Sequence, residues 1–223
     1  MKKLIEGFNR FKSDVYAQHR ELFQELASQQ HPDTLFIGCS DSRLVPGLLL
    51  QTDPGDLFVC RNAGNIAPPH GEHAGGVSAT IEYAVQVLGV QHVIVCGHSD
   101  CGAMKAAMHP EKVASLPAVA QWLRHTERAV AVVEAMHKDC DEHEKLNLLV
   151  EENVLSQLDN LRTHPSVAAK LRAGALQLHG WVFNIPRAEL KIYDADQQRF
   201  VQVAETGVPT PETLTPPGEP VHA

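Results

Sequence analysis

Two short stretches carry side chains that can do chemistry together. Gly38-Cys39-Ser40-Asp41-Ser42-Arg43 sets out a thiol, a carboxylate and a guanidinium, and Gly97-His98-Ser99-Asp100-Cys101-Gly102 an imidazole and a second thiol. Each follows an apolar run, Leu35-Phe36-Ile37 before the first and Val93-Ile94-Val95-Cys96 before the second. A strand end needs only a turn, which Gly38 and Ser40 already supply, so the reactive groups need another reason to be there. One imidazole and two thiolates form a zinc set, and three protein ligands leave the fourth tetrahedral position free for water. A structural zinc would want a fourth Cys or His at ligand spacing. Cys39, His98 and Cys101 therefore read as the ligands of a catalytic Zn2+, one ion per chain.

Each residue has a plainer alternative. A lone cysteine after a strand is ordinarily a buried, inert thiol, and Cys60, Cys96 and Cys140 are read so. Cys96 is the nearest rival ligand, but it falls inside the apolar run. His137-Lys138-Asp139-Cys140 repeats the H-x-x-C spacing, yet it follows a helical segment, lacks glycine and opens the polar stretch 138–145. Spacing alone is weak; spacing at a strand's carboxyl end, matched by a second such end, is strong. Asp41 and Arg43 could be a surface pair that fixes a turn, and such pairs are worth little. Their place between a metal thiolate and a strand end favours a catalytic pair.

For the two ends to meet, the strands that carry them must be neighbours. Residues 34–38, 57–60 and 92–97 are short, β-rich and apolar on both faces, which suits a parallel sheet covered by helices on both sides. Open α/β sheets bind ligands outside the carboxyl ends of their strands, where the winding reverses. Apolar groups at helical spacing predict an amphipathic helix in two pieces over 4–29, and further helices over 77–88, 119–136 and 146–161. Residues 176–183 read as a fourth strand and 190–193 as a short edge strand after the turn at Ile185-Pro186. The expected fold class is α/β, an open, mostly parallel sheet flanked by helices.

The bulk composition narrows the function classes. A chain of 223 residues holds one large α/β domain, read as 1–208, followed by a proline-rich segment, 209–223, expected to be disordered. A net charge of −8 argues against nucleic acid or an anionic membrane as the main partner. No apolar run approaches membrane-spanning length, so no membrane insertion is expected. The start, Met1-Lys2-Lys3-Leu4-Ile5-Glu6, does not read as an export signal, and five cysteines, an odd number, favour a reducing cytoplasmic setting.

The motifs Cys39-Ser40-Asp41-Ser42-Arg43 and Gly97-His98-Ser99-Asp100-Cys101-Gly102 together resemble those of the β-class carbonic anhydrases. The similarity extends over nearly the whole chain, through Asp53-Pro54-Gly55-Asp56-Leu57-Phe58-Val59-Cys60-Arg61-Asn62-Ala63-Gly64-Asn65, Ile81-Glu82-Tyr83-Ala84-Val85, Cys101-Gly102-Ala103-Met104 and Leu178-His179-Gly180-Trp181-Val182-Phe183. It runs closest to bacterial enzymes encoded beside cyanase and to the catalytic part of cyanobacterial carboxysomal enzymes. The resemblance implies reversible hydration of CO2 to bicarbonate and a proton. It assigns Asp41, held ionised by Arg43, to accept a hydrogen bond from the attacking hydroxide, and lets Asp41 swing onto zinc as a conditional fourth ligand. It matches Gln30, Phe58, Tyr83 and Gly102 to substrate-pocket positions, the glutamine usually acting across a subunit interface. It implies a parallel sheet with an antiparallel edge strand, N-terminal helices lying on a partner subunit, and a homodimer or homotetramer. His70 and His73 are nearby candidates for passing the proton to buffer. Two rival functions keep the zinc: hydrolysis of CS2 or COS on the same fold, and a non-catalytic scaffold. Members of the class that bicarbonate switches off place a tryptophan where Phe36 stands and a tyrosine where Phe183 stands, beside an arginine matching Arg61. Both donors are missing here, so that switch is not expected.

Overall fold

The apolar runs become neighbouring strands. In a computed structural model that describes residues 1–71 and 75–203, β1 (Thr34–Cys39), β2 (Leu57–Asn62), β3 (His92–His98) and β4 (Gln177–Asn184) are parallel. β5 (Glu189–Asp194) and β6 (Arg199–Gln202) add antiparallel, giving one six-stranded sheet in the order β2-β1-β3-β4-β5-β6. The strand expected over 190–193 is present but is not the edge: β6 pairs outside it. Four residues with charged or polar ends, Arg199-Phe200-Val201-Gln202, left too short a pattern to read. His73 and the proline-rich segment 209–223 lie outside the described residues.

The order of the strands decides where a site can form. From β1 the chain steps to β2 on one side, then returns across β1 to β3 on the other. The winding therefore reverses between β1 and β3, and the crevice beyond their carboxyl ends is open to a ligand. Gly38 is level with Cys96, which brings Cys39 and His98 to that same end.

Helices complete the layers. α1 (Lys2–Arg10) runs through a π-helical stretch, Phe11–Val15, into α2 (Tyr16–Gln18); the chain breaks at His19 before α3 (Arg20–Leu26), so the expected two pieces are present. No residue of these helices is buried, and Leu4, Ile5 and Phe8 are 68, 58 and 62% exposed. After β1 comes α4 (Pro46–Leu50), and after β2 comes α5 (Gly76–Tyr83), which continues as a π-helical stretch over Ala84–Leu88. α6 (Gly102–Met108) follows β3 directly. The single helix expected over 119–136 is two, α7 (Pro117–Leu123) and α8 (Glu127–Met136), joined by a 3-10 turn, Arg124–Thr126. At that joint Thr126 Oγ1 donates to the Leu123 carbonyl at 2.6 Å, a local bond that competes with helix continuation. α9 (Glu142–Arg162) starts earlier than its apolar pattern because Asp141 and Glu144 form a capping box, and α10 (Pro165–Arg172) closes the helical layer.

α9 lies flat on β3 and β4 because the strands present glycine beneath it. A Cβ on Gly97 would stand 3.0 Å from Val150 Cγ1 and Val154 Cγ2, and one on Gly180 3.0 Å from Val154 Cγ1. That side of the sheet carries Leu35, Ile37, Val93 and Val95 into the main core. The other side is a smaller cluster of Phe36, Ile94 and Cys96 with Leu50, Trp181 and Phe183. Burial on both sides is why β1 is continuously apolar from Leu35 to Ile37.

Candidate metal centre

Three elements deliver the ligand atoms. Cys39 ends β1, His98 ends β3, and Cys101 caps the start of α6. Between the last two, Asp100 takes φ 58°, a left-handed turn that Asp tolerates better than most residues, and this returns Cys101 toward His98. The two Sγ atoms and the imidazole nitrogen all lie within 4.8 Å of one another. The side chains are buried, Cys39 at 5%, His98 at 0% and Cys101 at 1% exposure.

The donor set fits zinc on this chain's own chemistry. His98 Nδ1 lies 2.9 Å from the Ser99 carbonyl, an acceptor, so Nδ1 carries the proton and Nε2 presents its lone pair. Nε2 is fully buried with no hydrogen-bond partner, which is costly unless something else binds it. The Cys39 thiol is held well below its ordinary range by the Cys101 thiol, by His98 and by the Gly64 and Asp41 amides, against the opposing effect of burial. Cys101 is pushed up by Cys39 first and by burial next. Two buried thiolates side by side repel, and a divalent cation between them removes the conflict.

Beside the ligands sits an ion pair with both partners in place. Arg43 Nη2 donates to Asp41 Oδ2 at 2.8 Å, and Arg43 Nε donates to Oδ1 at 2.9 Å. The Arg43 backbone N–H adds a third bond to Oδ1 at 2.9 Å. These bonds hold the Asp41 carboxyl well below the usual carboxylate range, the side-chain bonds from Arg43 contributing most. Asp41 Oδ2 stands 3.8 Å from His98 Nε2, at the edge of the ligand cluster. On its far side Arg43 reaches Asp100, with Nη1 3.2 Å from Oδ2, and Asp100 also pairs with Lys105. Arg61 braces the same turn from below, donating to the Cys39 carbonyl at 2.9 Å and the Asp41 carbonyl at 2.7 Å.

The expected pocket residues fall in two places. Gly102, the first residue of α6, adjoins Cys101 at the cluster. Phe58 and Tyr83 stack at 5.9 Å between ring centroids, but Phe58 is level with Leu35 while Cys39 is level with Asn62. Four residues of strand, at about 3.3 Å each, put the pair some 13 Å down the sheet from the ligands. Gln30 precedes β1 on that same far side and is exposed. The single chain does not bring Gln30, Phe58 or Tyr83 to the cluster. His70 is engaged elsewhere: its backbone N–H donates to Thr163 Oγ1 at 2.8 Å and its ring lies 5.7 Å from that of His164. Cys60 and Cys96 are buried thiols, the latter pushed up to about 12 by burial, whereas Cys140 is half-buried in the polar turn before α9 rather than in the core. Asp100 and Gly64, which donates to Cys39 Sγ at 3.4 Å, had no signal beyond lying in or near the motifs.

Known proteins carry the same plan. Residues 34–190 match the family model for carbonic anhydrase. A carbonic anhydrase of Pseudomonas aeruginosa is 51% identical over 223 residues, covering 100% of this chain and 99% of that one. The solved β-carbonic anhydrase CcaA superposes with a TM-score of 0.89 at 44% identity, over 91% of this chain and 99% of its own. The chain belongs to the β-class carbonic anhydrases. One of two tetrameric β-carbonic anhydrases of Sordaria macrospora matches more distantly, with a TM-score of 0.75 and 30% identity over 86% of this chain and 95% of that one. The general reaction of carbonic anhydrases is the reversible hydration of CO2, and the Cys39, His98 and Cys101 cluster of this family member is consistent with zinc. Among the described residues no helix is long and apolar enough to cross a membrane.

Proposed function

We propose that this chain is a zinc-dependent enzyme that interconverts CO2 with bicarbonate and a proton, with Cys39, His98 and Cys101 as ligands and Asp41 and Arg43 as the catalytic pair. One observation carries the reading: an ionised carboxylate, locked by Arg43, stands 3.8 Å from the unpartnered Nε2 of a buried Cys-His-Cys cluster. Bound zinc would supply the Lewis acid that turns water into hydroxide, and two thiolates that cancel its charge make that acid weaker than a three-imidazole set. Turnover is therefore expected to rise toward alkaline pH. Asp41, ionised and so an acceptor only, takes the hydrogen bond of the attacking hydroxide and leaves an oxygen lone pair free to face carbon. Arg43 spends two donors on that carboxylate and keeps it from turning away. A carboxylate released from Arg43 would be free to close the fourth metal position itself. The Gly102 N–H, beside Cys101, is a local donor for a substrate oxygen.

CO2 is small and apolar, and its pocket needs an apolar wall. Phe58 and Tyr83 form such a wall with Gln30 on the same side, but at the wrong end of their own chain. In a symmetric dimer a partner would supply these three residues to this cluster, and this chain would supply its own to the partner. The exposed Leu4, Ile5 and Phe8 of α1 are then the surface that the N-terminal helices lay on the partner. A homodimer, or a homotetramer built from it, is the proposed working unit. A reducing cytoplasmic setting, in which two unoxidised thiols can serve as metal ligands, is the proposed location.

Stopped-flow CO2 hydration with a pH indicator, before and after chelation, tests the assignment. Zinc-dependent hydration of CO2 is expected. Turnover of CS2 or COS without CO2 hydration would move the substrate, and metal binding without either activity would leave a scaffold.

A further inference from the structure

The sulfur of Cys39 accepts from a peptide whose carbonyl Trp122 of α7 holds, and Asn153 of α9 holds the carbonyl of the next one. Gly64 N–H donates to Cys39 Sγ at 3.4 Å. The carbonyl of that same peptide unit belongs to Ala63, and it accepts the indole N–H of Trp122 at 2.8 Å. On the other side of Gly64, its own carbonyl accepts Asn153 Nδ2 at 3.0 Å. Asn153 Oδ1 in turn accepts Gln157 Nε2 at 2.9 Å, and Gln157 Oε1 accepts the Ala67 N–H at 3.0 Å. Asn153 and Gln157 are 1% and 0% exposed, so α9 commits two buried amides to this loop. Gly64 has φ 84° and a Cβ there would stand 3.1 Å from Ala103 Cβ and Met104 Cε; the peptide has no room to shift toward α6.

We propose that Trp122 is a positioning residue for the metal ligand Cys39, acting through the Ala63–Gly64 peptide; the inference rests on the zinc reading above. A donor on a peptide carbonyl draws charge from the amide and makes its N–H a better donor, so bonds in such a chain strengthen one another. At the far end the acceptor is a thiolate, where the N–H bond is charge-assisted and lowers the energy of the sulfur lone pairs. Asn153 fixes the next peptide and leaves Trp122 to set the first. Trp122 lies on α7, outside both motifs, and this bond chain joins it to the site. Groups behind a metal ligand that orient and tune it are worth about 10–100-fold in metal affinity or activity.

The test replaces Trp122 by Phe in the full-length chain, which removes the N–H and keeps an aromatic ring. Zinc affinity, measured by competition with a chromophoric chelator, should fall about 10-fold. In the cobalt(II)-loaded protein the thiolate-to-metal charge-transfer band should move to lower energy, because the sulfur lone pairs lose part of their hydrogen bond. Leu123→Ala, a core truncation on the same helix, should lower the melting temperature and leave both readouts in place. Unchanged affinity and band position in Trp122→Phe would overturn the proposal, as would an equal shift in Leu123→Ala. Should Trp122→Phe not fold, site-specific replacement of Trp122 by β-(3-benzothienyl)alanine, which exchanges only the indole N–H for sulfur, decides by the same two readouts: a shift supports the proposal and no shift overturns it. A wild-type chain that takes up neither zinc nor cobalt overturns the metal reading and this inference together.

Discussion

Arg43 meets both carboxylate oxygens of Asp41, Nη2 on Oδ2 at 2.8 Å and Nε on Oδ1 at 2.9 Å, while Asp41 Oδ2 lies 3.8 Å from His98 Nε2. A side chain that is held on one side and free toward the ligands on the other is placed to orient a reacting group. Asp41→Asn keeps the shape but turns one acceptor into a donor and weakens the pairing. CO2 hydration should fall at least about 100-fold with zinc retained. Near-normal turnover in this variant would make the pair structural.

The same pair fixes a sign for pH. Asp41 has its carboxyl held well below the ordinary range, chiefly by the Arg43 bonds. A depressed carboxylate contributes stability that is full above its unfolded pKa and lost only as pH falls through the lower folded value. Activity loss between neutral and mildly acidic pH should therefore not come from Asp41. A pH-rate profile whose acid limb in that window disappeared in Asp41→Asn, assayed on its residual activity, would contradict this.

Ligand substitutions should separate the metal set from its look-alikes. Cys39→Ser, His98→Ala and Cys101→Ala are expected to lose zinc and activity together, by metal analysis and CO2 hydration on the same samples. Cys140→Ser, half-buried in a polar turn, should be nearly silent. Full zinc occupancy in Cys101→Ala would remove it from the set.

If the pocket is shared between subunits, two inactive variants should rescue each other. Cys101→Ala keeps an intact Phe58 and Tyr83 wall, and a Phe58→Ala, Tyr83→Ala double variant keeps an intact metal set. Mixing them under conditions that exchange subunits should give CO2 hydration well above either parent. No recovery in verified mixed oligomers would place the pocket within one chain.

Bicarbonate should inhibit only as a product. Phe36 is fully buried in a cluster with Ile94, Cys96, Trp181 and Phe183, and neither Phe36 nor Phe183 offers a donor. Arg61 already donates Nε and Nη2 to the Cys39 and Asp41 carbonyls. Among the described residues the unpartnered donor of that cluster is the buried Nε1 of Trp181, so an anion there would gain one indole N–H and still lack the two that Phe36 and Phe183 do not supply, each costing on the order of 1–3 kcal/mol when missing. Cooperative inhibition by bicarbonate, or bicarbonate found beside Arg61 with Asp41 turned onto the metal, would refute this.

Gly97→Ala should destabilise the fold by about 1–3 kcal/mol, because its Cβ would press on Val150 and Val154 at 3.0 Å and lift α9 from the sheet. Chemical denaturation of the metal-loaded protein measures it; an unchanged midpoint would show that α9 can yield.

Much of this was legible in the chain because each signal was local. Continuous apolar runs marked the parallel strands, and a glycine followed by a ligand-type side chain marked the two strand ends that β1 and β3 bring together. The break between α7 and α8 was not legible, since Thr126 ends the helix by a bond to Leu123 rather than by a proline or glycine. β6 was missed because four residues carry too little pattern, and its pairing to β5 is what makes them a strand.

The sequence by itself determined the candidate ligand types, the Asp41–Arg43 pair and the layered α/β plan, all of which depend on residue chemistry and on periodicities within one element. Only the tertiary structure decided that the winding reverses between β1 and β3, because strand order is set by long-range pairing that no short stretch encodes. It alone placed Gln30, Phe58 and Tyr83 at the far end of their own sheet, and joined Trp122 to Cys39 through a single peptide. A hydrogen bond between residues 63 and 122 depends on where two surfaces meet, and that is a property of packing.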